Sequence, residues 1–125
     1  MSKPFFVNYD QPDGLENDAL AVLENVSIDL ENIRKGTNET TKSIERGEAK
    51  LVYIALDVDP PEIVAHLPLL CKDKKIAYLY VSSKEILGKA CNLGVKTASC
   101  AIAHEGEVKA KIDNLATRIK ELAGI

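Results

Sequence analysis

From Leu15 onward, apolar residues recur at helical and strand spacings in alternation. Leu15, Ala19, Val22, Leu23 and Val26 lie three and four residues apart, which predicts an amphipathic helix that starts near Asp13-Gly14 and ends near Ser27. Ile33 sits in a short extended piece that leads into Lys35-Gly36, and a second helix is expected from Thr37 to Arg46, with Gly47 at its C-cap. Leu51–Ala55 is short, apolar and partly β-branched, as a buried strand would be. Asp59-Pro60-Pro61-Glu62 opens another helix, since proline is tolerated in a first turn, and Pro68 is expected to kink or split it. Ile76–Val81 reads as a second buried strand. Ser82 or Ser83 caps a helix running to about Ala90, and Ala98–Ala103 forms the last strand. Val108, Ile112, Leu115, Ile119 and Leu122 stripe a final helix.

These strands are apolar on both faces, so helices must cover both sides of one small sheet. The fold class is therefore α/β, a single three-layer α/β/α sandwich. Residues 1–13 carry Pro4, Asn8, Asp10, Pro12 and Asp13 and are expected to be irregular, with residues 14–125 forming one domain. The 125 residues, 28% of them charged and 46% hydrophobic, match an ordinary globular domain and disfavour disorder, collagen and coiled coil. No apolar run reaches the roughly 20 residues of a membrane span. The apolar stretch near the N-terminus is too short for a secretory signal, so a cytoplasmic protein with no membrane contact is expected. Cys71, Cys91 and Cys100 form no metal-type or redox spacing and are expected to be reduced and structural.

Net charge is −3, but its distribution alters that picture. Residues 1–33 hold one base against seven acids, whereas residues 34–125 hold 15 bases against 12 acids. Such asymmetry fits nucleic-acid contact and equally fits a solvated surface.

Motifs for catalysis are missing. No G-x-G-x-x-G follows a strand, and Gly88-Lys89-Ala90 lacks both the upstream glycine and the hydroxyl of a P-loop. His66 and His104 have no spaced ligand partner, and no triad, nucleophile elbow or carboxylate pair is evident, so neither catalytic residues nor metal nor cofactor are expected. The rival reading is a small α/β enzyme or ligand-binding domain with a pocket near His66.

The unusual segment is the second helix. It has one strongly apolar residue, Ile44, and three threonines that lower its propensity. Asn38, Lys42 and Arg46 share one face with Glu39 beside them, and Gly36 permits close backbone approach. The helix N-terminus with Lys35 adjacent suits phosphate oxygens, while Glu39 fits nucleic acid only by accepting from base donors such as the guanine amino group. The same residues are also favoured simply as caps and first-turn acids. Leu93-Gly94-Val95, in the connection before the last strand, could close over an unstacked base or merely staple the loop. Ile63, and Lys84 at a helix start, could complete a surface.

Lys35 to Gly47, read as KGTNETTKSIERG, resembles the signature of the family of the archaeal large-subunit ribosomal protein L7Ae. That kink-turn-binding family is shared with a eukaryotic spliceosomal and nucleolar RNA-binding protein. The resemblance continues through Ala65–Cys71, Ser83-Lys84 and Leu87–Ala90, over roughly residues 30–106. It implies a four-stranded mixed sheet and a monomer, when free, that binds kink-turns, in which tandem sheared G·A pairs bend an RNA helix. It also implies roles by position. Asn38 and Glu39 would contact the guanines, and Lys35, Gly36, Thr37, Lys42 and Arg46 would hold backbone and neighbouring bases. Ile63, Leu93, Gly94 and Val95 would pack around the extruded nucleotide, and Lys84 would meet a phosphate. Implied partners are ribosomal RNA, box C/D and H/ACA guide RNAs, ribonuclease P RNA and ribonucleoprotein core proteins. Two departures stand out: Gly94 replaces the acid of the usual Leu-Glu-Val, and Cys91-Asn92 replaces Ala-Gly. The acidic N-terminal part would either keep RNA off the wrong face or offer a surface to protein partners.

Overall fold

The computed structural model describes residues 4–125. The first three residues of the segment expected to be irregular, Lys3 among them, lie outside the described residues. The elements run α1 (Leu15–Val26), β1 (Ile33–Lys35), α2 (Thr37–Glu45), β2 (Leu51–Ala55), α3 (Glu62–Lys74), β3 (Tyr78–Val81), α4 (Lys84–Ala90), β4 (Ser99–Ile102) and α5 (Lys109–Ala123). A single 3-10 turn at Leu30–Asn32 precedes β1. Strand order is β1-β4-β2-β3, with β4 antiparallel to both neighbours and β2 parallel to β3. The sheet is thus mixed and four-stranded, as expected, and the extended piece at Ile33 is its fourth strand.

Every residue of β2, β3 and β4 is buried. That requires cover on both faces, which two helix groups supply. α2 packs on α3 and against β1 and β4, while α1 packs on α4 and α5. Tyr53 reaches from β2 to α1, its hydroxyl donating to the Ala19 carbonyl at 2.6 Å.

Two expectations about the helices change. α3 runs unbroken through Pro68, because Val64, Leu67, Pro68 and Cys71 are all buried and their packing outweighs one lost backbone bond. In α5, Leu122 is 39% exposed and Ala123 takes the buried place four residues after Ile119. The apolar stripe rotates as the core tapers.

Residues 4–14 form no helix or strand, yet they are docked on the open edge of β3. Phe6 and Tyr9 are buried and meet the rings of Tyr78 and Tyr80 at 5.5–6.2 Å. The Gln11 amide brackets the Tyr80 backbone: Nε2 donates to its carbonyl and Oε1 accepts its N–H, both at 2.8 Å. Tyr9 Oη donates to the Tyr78 carbonyl at 2.7 Å. The Glu16 carboxylate accepts the N–H of Ser82 at 2.9 Å. Several N-terminal acids therefore have intramolecular work: Asp29 accepts the Glu31 N–H, and Asp18 lies 3.7 Å from Arg118.

Candidate nucleic-acid interface

Sheet topology decides where the sequence-selected residues meet. β1, β2 and β3 end where β4 begins, since β4 runs antiparallel to β1 and β2. Lys35 and Gly36 leave β1 there, Asp57 follows β2, Ser83 and Lys84 follow β3, and residues 92–98 lead into β4. Backbone bonds tie these connections together. Gly36 N donates to Ser99 O at 3.0 Å, Thr97 N to Lys84 O at 3.2 Å, and Lys84 N to the Asp57 carboxylate at 2.8 Å.

Gly36 has φ 86°, a left-handed conformation that favours glycine and lets α2 start directly off β1. The threonines that weaken α2 as an isolated helix bond locally once folded. Thr40 Oγ1 donates to Gly36 O and Thr41 Oγ1 to Thr37 O, each at 2.7 Å, and Thr37 Oγ1 lies 3.0 Å from Ser99 Oγ. α2 needs to bury only Thr40, Ser43 and Ile44. Asn38, Glu39, Lys42 and Arg46 are left in solvent, with Lys42 Nζ 3.9 Å from Glu39 Oε1. Arg46 lies about 12 Å beyond Asn38 at 1.5 Å rise per residue, away from the sheet end where the others gather.

Between α2 and α3 runs a groove of about 380 Å³, lined by Thr37, Asn38, Thr41, Lys42, Glu45, Ile63 and His66. The pocket expected near His66 in the rival reading is thus this groove, shared with Asn38, Lys42 and Ile63. Ile63 is 46% exposed, an apolar surface beside polar side chains. Among the described residues, no group of three or more His, Cys, Asp or Glu could hold a metal.

On the other side, Leu93, Gly94 and Val95 line a hollow with Lys89 and Lys96, and Val95 is 72% exposed. Sequence reasoning missed what holds this loop. Gly88, buried in α4, lets it pack backbone to backbone: a Cβ there would stand 2.2 Å from the Val95 carbonyl oxygen. Leu93 N donates to Gly88 O at 3.0 Å. The loop's two ends meet in the core, where Cys91 Sγ and Cys100 Sγ are 3.1 Å apart, both free thiols and fully buried. Burial pushes the Cys100 thiol well above its ordinary value, which suits a structural residue. In the sequence Gly88 showed only through its G-K-A context and as part of the Leu87–Ala90 stretch of the resemblance.

A second groove of about 360 Å³, between α1 and α5, lies on the other helical layer and contains none of the candidate RNA-binding residues. No helix among the described residues is long and apolar enough to cross a membrane.

Comparison with known proteins agrees with the chain-wide arrangement. A solved structure, the Giardia lamblia 15.5kD RNA binding protein, superposes with a TM-score of 0.85 at 34% identity, over 97% of this chain and 99% of that one. Residues 19–112 match the model of the Ribosomal protein L7Ae/L30e/S12e/Gadd45 family. That span contains all four strands and the whole of α2, and the chain belongs to this family.

Proposed function

We propose that the protein is a non-catalytic RNA-binding protein that recognises and stabilises kink-turns. Its settings are the large ribosomal subunit, box C/D and H/ACA guide particles and ribonuclease P, in the cytoplasm, and it is a monomer when free. The observation that carries this reading is the gathering of a polar, exposed helix start and an apolar, exposed loop at one end of the sheet. Kinship with a protein named for RNA binding supports it.

Free N–H groups at the start of α2, with Lys35 beside them, face a phosphate. Asn38 and Glu39 stand one residue further, where Glu39 accepts from guanine amino groups of the tandem G·A pairs and Asn38 donates and accepts on a base edge. Gly36 and Thr37 allow close approach of the backbone, and Lys42 and Arg46 extend the phosphate contacts along α2. Ile63 with Leu93, Gly94 and Val95 covers the extruded nucleotide, and Lys84 meets a phosphate near the sheet end. Binding only the bent RNA shifts its population from open to kinked.

The test is a gel-shift titration at fixed salt against a kink-turn RNA and a control with both G·A pairs changed to Watson–Crick pairs. At least about a hundredfold preference for the first is expected, or roughly 2.7 kcal/mol. Glu39→Ala should weaken kink-turn binding by about 1–3 kcal/mol, the scale of a good base contact. Equal, salt-sensitive binding to both RNAs would reduce the interaction to phosphate attraction and refute the reading.

A further inference from the structure

We infer that His66 is a positioning residue of the RNA face, locking α3 to α2 so that Ile63 stands in register with Asn38 and Lys42. This rests on the kink-turn reading above. The chain of hydrogen bonds is directional. Thr41 Oγ1 lies 2.7 Å from the Thr37 carbonyl, which can only accept, so the single Thr41 hydroxyl proton is committed there. His66 Nε2 lies 2.9 Å from the same oxygen and must therefore carry the proton and donate. The ring is fixed as the Nε2–H form at that position, and α3 is linked through Thr41 to the first residue of α2.

Among the described residues no other hydrogen bond joins α2 to α3. The rest of their contact is packing without hydrogen bonds, which fixes the register less sharply than a directional bond does. Ile63 precedes His66 by one helical turn, and Asn38 and Lys42 flank Thr41 on α2, all in one groove. A slip of α3 would thus change the distance between the polar readers of the bases and the apolar surface for the extruded nucleotide. The bond is exposed in the free protein, where water competes with it. RNA seated in the groove excludes that water and strengthens it, so the contribution appears in the complex rather than in the free fold.

The experiment measures affinity for the kink-turn RNA and the Watson–Crick control, with melting temperatures, for wild type, His66→Leu, Thr41→Val, the double variant and His66→Gln. Glutamine places its amide N–H where His66 Nε2–H stands and should bind within about twofold of wild type. His66→Leu and Thr41→Val should each lose about fivefold or more on the kink-turn RNA alone, the equivalent of one hydrogen bond. The double variant should be no weaker than Thr41→Val, because that substitution already removes the bond to His66. All should melt within about 2 °C of wild type.

Unchanged affinity in His66→Leu overturns the inference. So does an equal loss on both RNAs, or a loss that follows a fall in melting temperature. A His66→Gln variant as weak as His66→Leu overturns the link through Thr41. Wild-type protein that fails to tell the two RNAs apart overturns the kink-turn reading and this inference with it, whereas a discriminating wild type with unaltered variants overturns this inference alone.

Discussion

Replacing Gly88 by alanine tests whether the loop of residues 92–97 depends on one close backbone approach. The new methyl would stand 2.2 Å from the Val95 carbonyl oxygen and 3.1 Å from Lys96 Cα, whereas ordinary contact begins near 3.4 Å. The obstacle is backbone, so no side chain can swing aside, and the loop must retreat by about 1.2 Å from α4. That retreat strains the two bonds seating the loop, Leu93 N to Gly88 O at 3.0 Å and Thr97 N to Lys84 O at 3.2 Å. Overpacking of this kind costs about 1–3 kcal/mol, and alanine's better helix propensity returns up to about 1. A net loss of about 1–2 kcal/mol is expected. For 125 residues the unfolding entropy is about 0.26 kcal/mol/K, so the melting temperature should fall by about 4–8 °C. Gly94→Ala is the matched control. Its methyl meets nothing within 4 Å, and stability should stay within about 0.5 kcal/mol. Calorimetry and amide exchange over residues 92–97 read both variants. A Gly88→Ala protein that melts with wild type and exchanges at wild-type rates in the loop would refute the argument.

Three further outcomes follow from the core and the sheet edge. Gln11→Ala removes two 2.8 Å bonds to the Tyr80 backbone and should cost about 1–2 kcal/mol. The Tyr80 amide should then exchange about tenfold faster, and an unchanged rate would count against the bracket. All four tyrosines sit in the interior and burial raises each phenol, Tyr78 to about 12. Their unfolded counterparts ionise near 10, so the stability gained by keeping them neutral is full below pH 10 and lost as pH rises toward 12. Tyrosinate absorbance should stay flat until the fold melts, and an increase centred near pH 10 in folded protein would contradict this. The three buried thiols should resist a disulfide reagent at pH 8 and react fully in denaturant, whereas fast labelling of Cys91 or Cys100 in folded protein would show the loop base to be open.

The helices and central strands were legible because their apolar residues follow a local period, and so was the oddness of α2, whose single large apolar residue set it apart. What was not legible depends on distant partners. Pro68 reads as a breaker from its neighbours alone, and only packing in the finished core holds α3 together. Gly88 looks like any glycine in a helix until the Val95 carbonyl is placed against it. Tyr9 and Gln11 lie among prolines and acids with no period at all, and their bonds span 69 residues to β3. The threonines of α2 look unfavourable in isolation, although Thr40 and Thr41 each bond a carbonyl four residues back. His66 carried no ligand pattern in the sequence, and its place in the groove depends on how α3 lies across α2.

The bracket on β3 has a consequence for how the molecule behaves in a crowd of its own copies. β3 is an edge strand paired on one side with β2, and residues 78, 80 and 82 turn their backbone groups outward. An edge with free N–H and C=O groups is a template on which another chain can add a strand. Here Tyr9 occupies the Tyr78 carbonyl, Gln11 occupies both groups of Tyr80, and Glu16 occupies the Ser82 N–H. Three side chains thus take four of the backbone groups a fifth strand would use, without forming a strand that would itself present a new edge. The irregular N-terminal stretch covers this edge of the sheet, and shortening it past Gln11 would leave the Tyr78 carbonyl and both backbone groups of Tyr80 open to an added strand.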